Sequence, residues 1–362
     1  MIFPILYAER FIIRSYFQIG LLSNFGLLMT LFFQIVVVHL AQRWEYRHLL
    51  GASFVGISLT LFLIPSSSGY FQLFFLYLLF RAFDSFYHTV GMAWVSRTHP
   101  SRAIDLAMGI QNGTGMAGVF LAFVSFGYLA QDADWRFPLF VWAGVCFLMG
   151  LVSYLLIRDY HFPKDRAVTF GLTSWLEAAR PIRRYIPGCL FGGASWGVTI
   201  YFGPSLLHHK FFIPMGRTGL FMAVWIGIGT LTNYLFGPIS RKLGRARTFQ
   251  AGLAGASVSL FAIGLSPAPF LAVFWLFIFG IFLFVIFPSV QSFIGDSSPV
   301  AFQTRAFTWV ANLQMLAGAL ISLFSGYLSD LFGISSPFVV VGILGAAVFI
   351  LSEFVFLPGS RD

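Results

Sequence analysis

Apolar residues in this chain occur in long continuous runs, separated by short clusters of glycine, proline, serine and charged residues. A helix needs roughly 20 apolar residues to cross a bilayer core. Eleven runs of this kind are present, and residues 1–8 resemble a fragment of a twelfth. The predicted spans lie at about 17–41, 48–65, 70–95, 104–130, 136–158, 185–207, 217–240, 248–266, 270–294, 304–329 and 335–357, with boundaries placed to within roughly 2–4 residues.

The continuity of the runs indicates helices, because the strands of a membrane barrel alternate apolar and polar residues. The predicted fold class is therefore all-α, a polytopic membrane protein with eleven full spans. Composition agrees, since 58% of the 362 residues are hydrophobic, 10% are charged and the mean hydropathy is +0.84. Cys146 and Cys189 fall in different spans without metal-ligand spacing, so we expect no disulfide, metal or cofactor.

The formal net charge of +9 does not indicate nucleic-acid binding, because the basic residues are distributed as membrane topology predicts. Alternate connections, assigned to one side, hold sixteen basic residues: Arg43, Arg47, Arg97, Arg102, Arg158, Lys164, Arg166, Arg180, Arg183, Arg184, Arg241, Lys242, Arg245, Arg247, Arg305 and Arg361. The other side holds three, namely Arg136, Lys210 and Arg217, while Arg10, Arg14 and Arg81 lie near or within spans. Because basic residues accumulate in cytoplasmic loops, we predict an inner-membrane protein with a cytoplasmic C-terminus.

The longest internal connection, residues 159–184, divides the chain near its middle. It is basic, and we interpret it as a cytoplasmic linker between an N-terminal bundle, 1–158, and a C-terminal bundle, 185–362. No ATP-binding loop of the G-x-x-x-x-G-K-[ST] type is present in the sequence. Energy for any transport would then come from a gradient.

The two bundles repeat each other at an offset of 199 residues. The matches are Gly20-Leu21 with Gly219-Leu220, Gln34 with Asn233, Arg43 with Lys242, Pro100 with Pro299, and residues 127–130 with 326–329. Parallel repeats of this kind are typical of secondary transporters, whose substrate site lies between the repeats. The pattern therefore predicts two six-helix bundles around a central site.

The same offset places Met1 opposite Ile200, which lies inside the predicted span 185–207 and not at its start. Residues 185–199 have no counterpart in the first half, so the first helix is predicted to begin part-way through. Two explanations stay open: the true start lies upstream, or half a helix is lost and residues 1–16 form an interfacial segment. The N-terminus has neither the basic region nor the cleavage site of a signal peptide.

The connection after the eighth span, counting the fragment as the first, reads GPISRKLGRAR over residues 237–247. It resembles the loop motif G-x-x-x-D-R-x-G-R-R of the major facilitator superfamily. The motif positions are held by Gly237, Arg241, Lys242, Gly244 and Arg245, with Arg241 in place of the acidic residue.

The first-half copy of this loop keeps Arg43 and Arg47, has Gln42 at the acidic position and lacks both glycines. In the family this loop latches the two halves in one conformation. The resemblance thus implies a conformational latch at these residues, with the acid of the motif missing from both copies.

The fourth and fifth spans carry the rest of the resemblance. Arg81 stands where the family has a membrane-embedded arginine, with Ser85 in place of a glycine. The fifth span is rich in glycine ahead of Asp134-Trp135-Arg136, as in the family, but lacks the Gly-Pro pair of antiporters. The stretch from Tyr87-His88-Thr89 to Pro100 is similar to the fosmidomycin-resistance-type exporters, whose fourth span carries Phe-His-Pro.

Ionisable residues within a span are expensive and mark functional sites, and the fourth span concentrates them. Arg81, Asp84 and His88 follow an i, i+3, i+7 spacing, which places them on one helix face. This stripe offers a contact for an anion, a proton carrier and a group that titrates near neutral pH. The structural alternative is that Arg81 and Asp84 neutralise each other and hold two helices together.

The remaining candidates for a substrate or proton pathway are polar or aromatic residues within spans. Amides there can bind substrate or cross-link helices, and the resemblance places the aromatic residues on helices that line the cavity. These candidates are Gln34, Asn233, Gln291, Trp196 and Tyr201.

Three functions stay open. The first is a monomeric secondary transporter in a lipid bilayer that moves a small organic solute by alternating access; we expect it to work outward and coupled to protons, with Asp84 carrying the proton. The second is an intramembrane lipid-handling enzyme, for which His99 and Asp105 lie near the membrane surface without a metal-ligand or nucleophile pattern. The third is a transporter-derived sensor or pseudo-transporter, which the altered loop and the missing half-helix favour.

Overall fold

The structure, a computed structural model, describes residues 2–8, 12–41, 43–98, 101–157, 177, 179–180, 183–297 and 300–356. Long helices account for most of this part of the chain, which confirms the all-α prediction. The helices are α1 (Ile2–Ala8), α2 (Tyr16–Leu40), α3 (Tyr46–Leu63), α4 (Tyr70–Thr98), α5 (Ser101–Asp132), α6 (Arg136–Leu156), α7 (Ile186–Ser205), α8 (Met215–Leu243), α9 (Arg245–Leu265), α10 (Pro269–Ser297), α11 (Val300–Phe332) and α12 (Ser336–Phe356).

Nine helices within the described residues, α2, α3, α5, α6 and α8–α12, are long and apolar enough to cross a membrane by length and composition alone. This is fewer than the eleven predicted spans. The apolarity of α4 is lowered by Arg81 and Asp84, and that of α7 by its glycines and serines. α1 has seven residues.

The helix starts repeat at the offset found in the sequence. The first residues of α2, α3, α4 and α5 stand 199 positions before those of α8, α9, α10 and α11, the pairs being Tyr16 and Met215, Tyr46 and Arg245, Tyr70 and Pro269, and Ser101 and Val300. Each half therefore contains the same order of helices and turns.

Two helix pairs join the halves along seams. α2 packs against α11, and α5 packs against α8. Large side chains such as Trp225, Phe279 and Phe338 are fully buried within the C-terminal half. On α6, Leu155 and Leu156 are highly exposed, as expected for a surface that faces lipid.

The cross-half hydrogen bonds described below lie at one end of the bundle. At this end α2, α4, α8 and α10 begin and α5 and α11 finish. We call it the sealed end. A π-helical turn, Leu206–Lys210, extends α7 into it.

Candidate functional site

Arg81 and Asp84 form an ion pair on α4. A nitrogen of the Arg81 guanidinium donates to Asp84 Oδ2 at 2.8 Å, and the two side chains are 17% and 24% exposed. The Nε–H of Arg81 is buried without a hydrogen-bond partner among the described residues. The pair lies roughly 16–21 Å along the helix from Tyr70, at 1.5 Å per residue. The pair therefore lies near the middle of the span, and the Nε–H of Arg81 makes no hydrogen bond among the described residues.

Two phenols surround this pair from opposite halves. Tyr77 lies one turn before Arg81 on α4 and packs closely on Gly26 of α2, where a Cβ would fall 2.5 Å from the Tyr77 ring unless that ring moved. Tyr201 of α7 interacts electrostatically with both Arg81 and Tyr77. Arg81 and Tyr77 of the N-terminal half thus lie near a tyrosine of the C-terminal half.

The other predicted pathway residues are dispersed. Trp196 packs on Trp225 with ring centroids 5.4 Å apart, inside the C-terminal half. Gln34 is half-buried, while Asn233 and Gln291 are exposed, and no hydrogen bond joins Gln34 to Asn233 in the described part of the chain. The side chain of His88 lies outside the described residues, and its role stays a prediction.

The first copy of the predicted latch loop forms its own charge cluster. Arg47 pairs with Glu45 at 3.0 Å, and its guanidinium lies 5.7 Å from the centre of the Tyr154 ring. His48 lies 3.3 Å from the same Glu45 carboxylate, and Arg43 is exposed. Glu45 thus places an acid beside Arg47, although the motif position itself holds no acid.

The second copy of the loop is the turn between α8 and α9. Gly244 adopts φ 84°, a conformation that favours glycine, and thereby ends one helix and starts the next. The other four motif residues are exposed, namely Gly237, Arg241, Lys242 and Arg245. The latch role of both copies stays a prediction.

Glycines allow backbone to meet backbone along both seams. A Cβ on Gly20 of α2 would lie 2.7 Å from the Ser322 carbonyl of α11, and one on Gly127 of α5 would lie 2.7 Å from the Met215 carbonyl of α8. Their repeat partners behave alike, since Gly219 meets the Phe123 carbonyl and Gly326 meets the Tyr16 carbonyl. The glycines that the sequence repeat matched are therefore the close contacts between the halves.

Helix caps also cross between the halves at the sealed end. The Asp330 carboxylate of α11 accepts from the backbone N–H groups of Tyr16 and Phe17, at 2.8 and 2.9 Å, in the first turn of α2. On the other seam, Gln131 Oε1 of α5 accepts from the Gly216 N–H of α8 at 2.9 Å. Phe17 and Gly216 are related by the 199-residue offset, and so are Gln131 and Asp330. We call these two contacts the crossed caps.

His209 connects the halves beside the crossed caps. Its Nε2 lies 2.9 Å from the Pro4 carbonyl of α1, and its Nδ1 lies 2.9 Å from the Tyr16 hydroxyl. Because a carbonyl only accepts, Nε2 carries the proton and Nδ1 accepts from Tyr16 in the neutral ring. Burial lowers the pKa of His209 below its ordinary value of 6.5, and the neighbouring His208 lowers it further, against the opposing effect of the Pro4 hydrogen bond.

The sequence analysis missed Tyr77, His209 and the crossed caps. A signal for the caps was present, because the offset that pairs the glycines also pairs Gln131 with Asp330, each at a predicted helix end. No comparable signal existed for Tyr77 or His209. Their contacts depend on how two distant segments dock.

Comparison of the sequence with protein families gives a match to the Major Facilitator Superfamily over residues 1–321 and 190–361. These two matches together cover nearly the whole chain. A search of curated proteins finds no match. The fosmidomycin-resistance-type subgroup is not confirmed by these results and stays a prediction.

The structure is similar to solved membrane transporters. A point mutant of the nucleoside transporter NupG superposes with a TM-score of 0.82 at 14% identity, covering 98% of this chain and 94% of that one. A bacterial homologue of the human lysosomal transporter Spinster, inward-facing and unoccupied, gives 0.79 at 15% identity, covering 99% and 93%. A POT family transporter in complex with 5-aminolevulinic acid gives 0.78 at 15% identity, covering 96% and 88%.

Proposed function

Since the chain belongs to the Major Facilitator Superfamily, we propose that it carries a small organic solute outward across the inner membrane by alternating access, in exchange for protons. Its family and fold make it a membrane transport protein and not an enzyme. The solved transporters it resembles include one for nucleosides, which agrees with a small organic cargo. The direction, the coupling and the cargo are the proposal.

The observation that carries the proposal is the mid-span Arg81–Asp84 ion pair, whose guanidinium lies within electrostatic range of Tyr201 of the opposite half. A proton on Asp84 removes its negative charge and weakens the ion pair. Arg81 is then free to bind an acceptor group of the solute through its N–H groups, including the unfilled Nε–H. Proton occupancy and solute occupancy are thereby linked at one residue pair, which is the minimum that coupling requires.

The sealed end supports a conformation that is closed toward the outside. We take this end as the outer face, as the distribution of basic residues predicts. The crossed caps and glycine contacts hold the halves together there. The Spinster homologue, a similar structure, was solved inward-facing. In the proposed cycle the sealed end opens to release the solute and admit protons.

We test the coupling with Asp84→Asn in proteoliposomes, in which solute flux is measured against pH. Asparagine keeps the size of the side chain but carries no proton, so the pH dependence of flux should shrink to the part that His209 at the sealed end contributes. Asp134→Asn is the matched control, because Asp134 forms a similar pair with Arg136 at 2.7 Å, but in the exposed turn between α5 and α6. The control should keep the wild-type pH profile.

Two outcomes would oppose the proposal in different ways. Flux of Asp84→Asn with an unchanged pH profile would remove Asp84 from the coupling while leaving transport intact. Failure of the purified wild-type protein to move any solute in a broad screen of organic compounds would instead favour the sensor or pseudo-transporter alternative.

A further inference from the structure

A groove of about 600 Å³ opens on the side of the C-terminal half at the sealed end. It lies between the loop 211–214 and the first turns of α8 and α10, and its volume falls within the range of roughly 300–1,000 Å³ typical of ligand sites. The lining is mostly aromatic, with Phe211, Phe212, Phe221, Phe270, Phe274 and Phe277. The Arg81–Asp84 pair is not part of this groove.

The depth of the groove in the membrane follows from the helices that form it. α8 and α10 both begin at the groove, at Met215 and Pro269, and both are long and apolar enough to span the bilayer. Helix starts of spanning segments lie at the boundary between headgroups and hydrocarbon. One end of the groove therefore meets the headgroup layer, and its aromatic wall extends toward the acyl chains.

Arg217 is the charged residue of the lining, and its position is unusual for a cation. It stands in the first turn of α8, where the helix dipole disfavours positive charge, so helix stability does not account for it. Its exposed guanidinium and the α8 N-terminus together attract an anion. Lys210 lies close by, with Nζ 4.9 Å from the centre of the Phe211 ring, but it donates to the Gly264 carbonyl at 3.1 Å, so Arg217 is the cation available to the groove.

Phe212 supplies an independent sign that the groove is built for a ligand. It is 85% exposed and has φ 53°, the one non-glycine residue with positive φ in the described part of the chain. A phenylalanine in the left-handed region is strained, and such strain collects at ligand-binding positions. The strained backbone holds the ring at the edge of the groove.

We propose that this groove binds an anionic phospholipid, with one acyl chain along the phenylalanines and the phosphate on Arg217. A phosphodiester suits guanidinium, because the fork of N–H donors matches its oxygens. Phe270 and Phe274 of the lining are highly exposed on the outside of the bundle, so a lipid can reach the groove from the bilayer without passing through the transport path. The inference does not rest on the direction, coupling or cargo proposed above.

The test is native mass spectrometry of the full-length protein in neutral detergent, titrated with phosphatidylglycerol or phosphatidylcholine. We expect phosphatidylglycerol to bind more tightly, and Arg217→Gln to weaken its binding about fivefold, the effect of one cation beside an anionic lipid surface. Arg14→Gln is the matched control, since Arg14 is an exposed arginine at the same end but outside the groove. It should bind phosphatidylglycerol as the wild type does.

A second variant tests the acyl-chain part of the groove. Phe212→Gly relieves the backbone strain and removes the ring, so it should weaken both lipids alike. Equal binding of both lipids by the wild type, or equal effects of Arg217→Gln and Arg14→Gln, would overturn the anionic site. Unchanged binding by Phe212→Gly would overturn the placement of the acyl chain. Because the readout is lipid binding, none of these outcomes depends on whether transport occurs.

Discussion

Arg81 combines an ion pair with an N–H group that makes no hydrogen bond in the described part of the chain. One guanidinium nitrogen holds Asp84 at 2.8 Å, while Nε–H is buried without a partner among the described residues. Leaving a buried donor unfilled costs about 1–3 kcal/mol. In the proposed cycle, an acceptor group of the solute would recover that cost on binding.

His209 makes the sealed end sensitive to acid. Its pKa is lowered in the sealed state by burial, and exposure to water on opening returns it toward about 6.5. The open state therefore binds more protons than the sealed state. The free energy by which neutral His209 favours the sealed state is fully present above about pH 6.5 and is lost as the pH falls through the lowered pKa. We expect acidification to open this end.

The opening can be followed by the distance between spin labels on cysteines at Arg14→Cys and Phe332→Cys, two exposed positions in opposite halves. Cys146 and Cys189 would be replaced by alanine. His209→Gln should abolish the pH dependence of the label distance. Other titratable groups lie around this ring or bond to its partners, namely Tyr7, Tyr16, His208, Lys210 and Asp330. A dependence that persists in His209→Gln would assign the effect to one of these groups or to the proposed proton site, Asp84.

The sequence predicted the local part of the residue pattern and could not predict the rest. Arg81 and Asp84 were expected on one helix face from their spacing alone, and they form an ion pair. The contact between Tyr77 and Tyr201 joins residues 124 positions apart in opposite halves. It depends on how the halves dock, which helix periodicity does not encode.

The crossed caps belong to the scale of helices. Asp330 stands in the last turn of α11, where its own helix dipole disfavours a carboxylate, yet it accepts from two N–H groups in the first turn of α2. The unfavourable local position is offset by capping a helix of the other half. Gln131 makes the corresponding cap without charge.

Removing a cap should weaken the seal. Because loss of a helix cap costs about 0.5–2 kcal/mol, Asp330→Ala should shift the sealed-to-open equilibrium roughly 2–30-fold toward the open state, measured by the same label pair. Gln131→Ala should act in the same direction with a smaller effect, since its cap is neutral and uses one N–H group.

Asp134→Asn is the control for the caps, because its pair with Arg136 lies at the same end but within one half. It should leave the label distance unchanged. If Asp330→Ala also left the distance unchanged, the caps would be helix ends that happen to face each other and would not be part of the seal.

Helix positions were the most predictable feature of the fold. The fourth span was predicted at 70–95 and is Tyr70–Thr98, and the tenth was predicted at 270–294 and is Pro269–Ser297. Apolar runs mark where a helix lies in lipid, but polar residues can continue it beyond the hydrocarbon. α5 accordingly extends from the predicted 104–130 to Ser101–Asp132.

At the scale of the whole molecule, the seams depend on having no side chain at their close contacts. Gly127→Ala places a methyl group 2.7 Å from the Met215 carbonyl, and overpacking of this kind costs about 1–3 kcal/mol. We expect this variant to populate the open state and to slow transport. Both label distance and solute flux report the change.

Gly118→Ala is the matched control on the same helix, because nothing lies within 4 Å of a Cβ added there. It should behave as the wild type in both measurements. Equal behaviour of the two variants would show that the α5–α8 seam has room to adapt and does not set the balance between states.

Backbone contact at the glycines also decides which relative movements the halves can make. Helices with interlocking side chains resist rolling, because ridges on one must climb out of grooves on the other. At Gly20, Gly127, Gly219 and Gly326 there are no ridges to lift, so once the caps at its end are broken, the two helices of a seam can separate without first disengaging interlocked side chains. The two glycine pairs are related by the repeat, so both seams should offer the same low resistance when the sealed end opens.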